Sequence, residues 1–203
     1  MKLYYSPASP YARKVLVLAQ ETGLAGRIEV ISASVTPTKP EPTISKANPL
    51  AKIPTLVTDD GMPLYDSRVI CEYLDSLHSG RKMCPESGKA RWAVKRLEAL
   101  GDGMTDAGIL ARYEVSVRPP EKQWADWIAG QSAKVQQSLD QLESEVGQFG
   151  REPDLGQIAV ACSIGWLEFR KPAGEIRPGR PKLFAWYDAF AKRPSMASTA
   201  PKA

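Results

Sequence analysis

One histidine and three cysteines in 203 residues leave little material for histidine-based triads, zinc sites or a disulfide scaffold. His78 stands alone beside polar residues at an expected helix end, and Cys71, Cys84 and Cys162 are widely spaced with no Cys-x-x-Cys pair. No metal site is therefore expected, and a dithiol redox carrier is disfavoured. No apolar stretch is long enough to span a bilayer. The opening residues, Met1-Lys2-Leu3-Tyr4-Tyr5-Ser6-Pro7, hold one positive charge but no apolar run before the proline, so the cytoplasm is the expected compartment, with no membrane partner. Basic residues never form a run of five, and the net charge is only +4, which argues against a nucleic-acid partner and leaves a small anionic ligand compatible.

What is present is ordinary globular composition, 43% apolar and 25% charged, in a chain long enough for two packed cores. The first eighty residues alternate in short elements. A strand near Leu3 to Tyr5 precedes a helical stretch from Tyr11 to Glu21, closed by Gly23. A second strand is expected at about Ile28 to Ile31. Pro37, Pro40, Pro42 and Pro49 then limit the segment from Thr36 to a loop with at most a brief helical turn. Thr55 to Thr58, the turn Asp59-Asp60-Gly61, and Pro63-Leu64-Tyr65 read as a hairpin, after which Ser67 is expected to cap a helix reaching Leu77. The order is β-α-β-α-β-β-α if that helical turn is counted.

From about Glu86 the texture becomes all-helical. Ala93, Leu97, Leu100, Met104, Ala107 and Ala111 mark one face of a long helix; Trp124, Ile128, Val135, Leu139, Leu142 and Val146 mark a second, separated from it by Pro119-Pro120. Ile158 to Leu167 is apolar on nearly every side, as in a helix buried at the centre of a helical domain, with Asp154 and Gln157 as its capping box. A last helix is expected at about Pro181 to Ala191, stopped by Arg193-Pro194. The expected division is a domain at 1–79 and another at 86–203, with Gly80 and Pro85 bracketing the link.

Three motifs punctuate the first domain: Ser9-Pro10-Tyr11-Ala12-Arg13-Lys14 after the first strand, Asn48-Pro49-Leu50-Ala51-Lys52-Ile53-Pro54-Thr55-Leu56, and Asp66-Ser67 opening a helix. At this spacing they resemble the cytosolic glutathione S-transferase family, bacterial members with a serine-type N-terminal motif, over essentially the whole chain. The resemblance implies a thioredoxin-like glutathione-binding domain followed by an all-α domain, and a homodimer. It also implies a conjugating, detoxifying transferase with glutathione as co-substrate and a small, hydrophobic electrophile as its second substrate. Ser9 then holds the thiol, since a helix N-terminus favours an anion, although ordinary N-capping explains the same residue. Ser6, Tyr4 and Tyr5 compete with it. Ile53, before a cis Pro54, pairs with the peptide ligand, Lys52 approaches the ligand's backbone or glycine carboxylate, and Asp66 and Ser67 take the γ-glutamyl end.

Two departures are Ala51, where the family commonly has glycine, and Gln157, where it commonly has aspartate. Asp102, Met104, Asp106 and Tyr113 fall on or near the first long helix where such proteins place the wall of the second substrate's pocket, but most of them read as solvated or core residues. A hydroxyl cannot exchange with sulfur, so serine at position 9 favours conjugation over a thiol transferase cycle. Dehalogenation, isomerisation, peroxide reduction and a non-enzymatic binding module of the same fold stay open.

Overall fold

The computed structural model describes residues 1–202; the expected second domain's last residue, Ala203, lies outside the described residues. β1 (Lys2–Tyr5) leads into α1 (Pro10–Glu21), and β2 (Glu29–Ser32) returns parallel to β1. After α2 (Pro42–Ala47) come β3 (Thr55–Val57), β4 (Pro63–Leu64) and α3 (Ser67–Ser76). The sheet order is β2-β1-β3-β4, with β3 antiparallel to both of its neighbours. Leu3 and Leu56 pair across β1 and β3 and are fully buried, as are Val15, Leu18, Ile70 and Leu74 on α1 and α3, which pack together. The β3–β4 turn closes as its Asp-Gly sequence predicts, with Gly61 at φ 88° and the Thr58 amide donating to the Met62 carbonyl at 3.0 Å.

The proline-rich segment is more ordered than a loop. Glu41 caps α2 through its carboxylate, which accepts the Ile44 amide at 2.8 Å, and Pro42 occupies the first helical position. Proline there starts a helix rather than breaking one, since its missing N–H has no intrahelical partner to lose. The cap of α3 is likewise one residue earlier than expected: Asp66 accepts the Arg68 amide at 2.9 Å, and Ser67 is the first helical residue.

The helical part comprises α4 (Gly88–Ser116), α5 (Ala125–Glu145), α6 (Leu155–Arg170), α7 (Pro181–Phe190) and α8 (Pro194–Ser198). Arg96 pairs with Glu145 at one end of α4, and Glu114 accepts the Trp124 amide at the other, so α4 and α5 run antiparallel. α6 is buried from Leu155 to Leu167, as its unbroken apolar run predicts. It approaches α4 closely: a Cβ on Gly101 would stand 2.8 Å from the Val160 nitrogen.

Four details depart from the pattern read in sequence. Ala93 is exposed while Val94 is buried, a rotation of the face at the start of α4. Trp124 is 61% exposed, because it precedes α5 and stacks on Trp127 instead of entering the core. Asp154 accepts the Gln157 amide at 2.8 Å, but the Gln157 side chain donates to the Gly150 carbonyl at 2.9 Å, so only half of the capping box forms. Pro194 both ends the chain's run beyond α7 and starts α8, again by standing at a first helical position.

Candidate functional site

The β-sheet register brings the three motifs to one end of the sheet. Tyr4 pairs with Thr55, so Pro54 lies level with the end of β1, where the chain turns toward Ser9. Leu56 pairs with Leu64, and continuing that antiparallel register by two residues brings Pro54 level with Asp66. The Ile53-Pro54 peptide is cis, as is Tyr65-Asp66.

Ser9 is the N-cap of α1. Its Oγ accepts the Ala12 amide at 3.2 Å, its own amide donates to the Ser6 carbonyl at 2.9 Å, and Pro10 takes the first helical position. The hydroxyl proton remains available to a ligand, beside the amides of the first turn. Ser6 lies in the preceding turn, where its Oγ accepts the Ala8 amide at 3.3 Å. Tyr5, Ser6 and Ser9 border a cavity of about 110 Å³, closed on its far side by Arg13 and the chain after α8. The Lys202 amide donates to the Pro7 carbonyl, which holds that tail against the β1–α1 loop. A larger cleft, about 630 Å³, lies at the opposite end of the sheet between Met1, Arg27 and Asp59 and includes none of the motif residues. Size therefore does not mark the site here; the meeting of the motifs does.

Ile53 is half-buried, and its amide and carbonyl take no part in the backbone hydrogen bonds among the described residues. The loop before it is fixed by Asn48, whose side-chain amide donates to the Lys52 carbonyl at 3.2 Å and to the Thr55 hydroxyl at 3.0 Å. Ala51 has φ 51°, the left-handed conformation in which glycine is cheaper. Lys52 is exposed. Asp66 is exposed and Ser67 is 2% exposed, both at the N-terminus of α3.

Residues 8–77 match the family profile of the glutathione S-transferase N-terminal domain and residues 125–189 that of its C-terminal domain. A glutathione transferase family member from Pseudomonas fluorescens Pf-5, solved with bound glutathione, is 44% identical, with a TM-score of 0.97 over 100% of this chain and 99% of that one. Another structure of a Pf-5 family member holds S-(propanoic acid)-glutathione. A glutathione S-transferase from Methylobacillus flagellatus KT, solved with glutathione bound, is 39% identical, with a TM-score of 0.87 over 99% of each chain. The uncharacterized GST-like protein YibF of Escherichia coli strain K12 is 34% identical over 99% of this chain and 98% of its own.

The chain belongs to the glutathione S-transferase family. By this kinship it is classed as a glutathione transferase enzyme, with a thioredoxin-like first part and an all-helical second part.

Behind the motifs of this transferase lies a charged network that sequence reasoning missed. Lys14, 1% exposed, donates to Glu98 at 3.2 Å and to both oxygens of Asp102 at 2.9 and 2.8 Å. Burial alone would lower the Lys14 pKa, but Asp102, with Glu98 assisting, outweighs it and raises the ammonium above its ordinary value. Asp102 also accepts from Arg68 Nε at 2.9 Å, and Lys95 joins Glu98 to Glu72. The chain of ions thus ties α1 and the first turn of α3, next to Ser67, onto α4. The available signal was the pair Glu98 and Asp102, one turn apart on the face of α4 that also carries Leu97, Gly101 and Met104.

Asp106 accepts the Tyr11 hydroxyl. Burial and that bond raise the Tyr11 pKa, so this tyrosine stays protonated. Arg13, 6% exposed, crosses to the helical part, donating to the Met196 carbonyl at 2.9 Å; its guanidinium and the Tyr187 hydroxyl occupy the space a Cβ on Gly165 would take. His78 bonds to Asp75 at 2.9 Å, away from the motifs. Met104 is core. All three cysteines are buried and unpaired, and burial pushes the Cys162 thiol up to about 11. No group of three or more histidine, cysteine or acidic side chains among the described residues could hold a metal ion, and no described helix is long and apolar enough to cross a membrane.

Proposed function

We propose that this transferase lays glutathione across the end of the sheet and holds its sulfur as a thiolate at Ser9, for attack on a small electrophile. The observation that carries the reading is the convergence, set by strand register, of a capped helix start with a free hydroxyl proton, an unpaired backbone at Ile53, and a second helix start at Asp66-Ser67. Ile53 pairs with the peptide as an added strand would. The buried Ser67 at the start of α3 receives the γ-glutamyl carboxylate, Asp66 takes the ammonium, and Lys52 reaches the glycine carboxylate.

A free thiol with pKa about 8.5 is mostly protonated at neutral pH. Ser9 is suited to changing that: the Ala12 amide donates to Oγ and polarises the hydroxyl, which donates in turn to sulfur. The proposed domains are 1–79 and 86–203, joined by a link without regular structure between α3 and α4. Exposed Val69 and Trp92, on α3 and α4, suit a homodimer contact, to be checked by sedimentation at micromolar concentration. Three unpaired cysteines fit a cytoplasmic location. The propanoic-acid group carried on sulfur in a Pseudomonas family member is in keeping with a second pocket that tolerates charge.

The test is a thermal melt with glutathione. At 100 times Kd a ligand stabilises by about 2.7 kcal/mol, a rise of roughly 5–11 °C for a protein of this size. No rise at 10 mM glutathione refutes the reading and favours an interaction protein of the same fold.

A further inference from the structure

The C-terminal turns of α4 and α6 carry two arginines, Arg112 and Arg170, that helix register sets at the same level. The two helices run parallel in constant register. Gly101 meets Ala159 and Val160, the Thr105 hydroxyl donates to Ser163 Oγ at 2.8 Å, and Gly108 meets Trp166 and Leu167. One turn on, the same offset sets Arg112 beside Arg170. Both are half-buried, and the Arg170 guanidinium lies 4.2 Å from the Phe169 ring centre. Burial first, and then the charge of Arg112, lower the Arg170 pKa from its ordinary value.

The neighbouring acids are engaged elsewhere: Glu114 with Arg118 at 2.7 Å, Glu168 with Arg177 at 2.5 Å, and Glu175 with Lys171 at 2.8 Å. Among the described residues no carboxylate forms an ion pair with Arg112 or Arg170. Two half-buried guanidinium groups repel one another, and an anion between them removes that cost with forked hydrogen bonds.

Their position points to the second substrate. α1 runs antiparallel to α4 and α6: Lys14 reaches Glu98 and Asp102, Tyr11 reaches Asp106, and Arg13 lies against Gly165. Followed back from Lys14 to Ser9, α1 therefore rises toward the C-terminal turns of the other two helices. Continuing the register puts Ser9 near the level of residue 108 on α4, so Arg112 stands about one helical turn, roughly 5–7 Å along the helix axis, beyond that level. That is within the reach of a substrate whose reacting carbon lies at the sulfur.

We propose that Arg112 and Arg170 recognise a carboxylate on the electrophile, so that this enzyme adds glutathione to α,β-unsaturated acids rather than to purely apolar acceptors. The inference rests on the glutathione reading above. In the step, sulfur bonds to the β-carbon, the C=C π pair moves to the α-carbon, and a proton from water replaces there the one the thiol released. The addition is redox-neutral. An ionised acid is by itself a poor acceptor, because its charge repels the thiolate and opposes further negative charge; paired guanidinium groups offset both.

Two adducts test this: that of glutathione with acrylate, and S-propylglutathione, which carries a methyl group in place of the carboxylate. Titration calorimetry should find the acrylate adduct bound at least fivefold tighter by the wild type, and Arg112→Gln and Arg170→Gln should abolish that preference while binding S-propylglutathione within twofold of wild type. In turnover, each variant should lose at least tenfold in kcat/KM with acrylate and less than twofold with acrylamide. Arg112→Lys, which keeps the charge without the fork, should fall between and reports on folding if the glutamine variant is unstable. Equal wild-type affinity for the two adducts, or equal losses with acid and amide, overturns the proposal. Glutathione itself, titrated alongside, separates the two levels: if it binds and the acid preference is absent, the arginine assignment alone fails; if it does not bind, the underlying reading fails too.

Discussion

Replacing Ser9 separates chemistry from folding when alanine and glycine are compared. In the structure the hydroxyl accepts the Ala12 amide at 3.2 Å, and in the proposed site it also offers its proton to the sulfur. Alanine removes both, and loss of a cap costs about 0.5–2 kcal/mol. That is a fall in Tm of roughly 1–8 °C for a protein of this size. Glycine is a tolerable cap and costs only a few tenths of a kcal/mol, yet it lacks the hydroxyl just as alanine does. A hydrogen bond to a charged group contributes about 1.5–3 kcal/mol, so losing it raises the pKa of the bound thiol by about 1–2 units. At pH below the pKa of the bound thiol, that shift lowers the thiolate fraction, and with it kcat, by about 10- to 100-fold in both variants. The deficit shrinks as pH rises, because alkali supplies the thiolate that Ser9 no longer stabilises. The assay is the pH profile of kcat at saturating glutathione, read beside melting curves. An unshifted profile in Ser9→Gly, or a larger shift in Ser6→Ala or Tyr5→Phe, refutes the assignment.

Three further outcomes follow from the packing. Lys14→Met leaves Glu98 and Asp102 facing a buried methionine; because Lys95 and Arg68 still pair with them, the loss should sit near the low end for a broken buried ion pair, about 3 kcal/mol, and a urea midpoint unchanged from wild type would contradict it. Gly101→Ala drives a methyl against the backbone of α6 at Val160, where nothing flexible can yield, and should cost about 1–3 kcal/mol with glutathione affinity retained in whatever remains folded; a neutral Tm would show that the helices are less tightly apposed. Glu21 is bound by Arg193 at 2.9 and 2.8 Å and by Ser195 at 2.5 Å; the Arg193 bonds lower its pKa against the opposing pull of burial, with Ser195 assisting. A depressed carboxyl pKa gives stability that is present above the ordinary glutamate value of about 4.3 and lost as pH falls through the folded value. The Tm gap between wild type and Glu21→Gln should therefore be constant from pH 6 to 8 and narrow below about pH 4, and a gap that widens in acid would exclude this coupling.

The features legible in the sequence were those set by neighbours along the chain. Ser9-Pro10 starts a helix because the hydroxyl reaches an amide three residues on, Asp59-Asp60-Gly61 turns because glycine accepts positive φ, and Ile158 to Leu167 is buried because no face of it is polar. The same short-range logic erred by a residue or so where one signal had two uses, as at Asp66 and Ser67, or where a proline that starts a helix looked like one that prevents it, as at Pro42 and Pro194.

What tertiary structure alone decided is which distant charges meet. Lys14 lies 84 residues from Glu98 and 88 from Asp102, and on a helical wheel its charge marks it for solvent; only the docking of α1 onto α4 turns it into a buried, triply bonded ammonium. Arg112 and Arg170 become neighbours only because small residues let α4 and α6 run parallel in close register. Local propensities act within a turn or two of backbone, whereas the pairing of charges depends on helix register across the core, and close packing admits one such register.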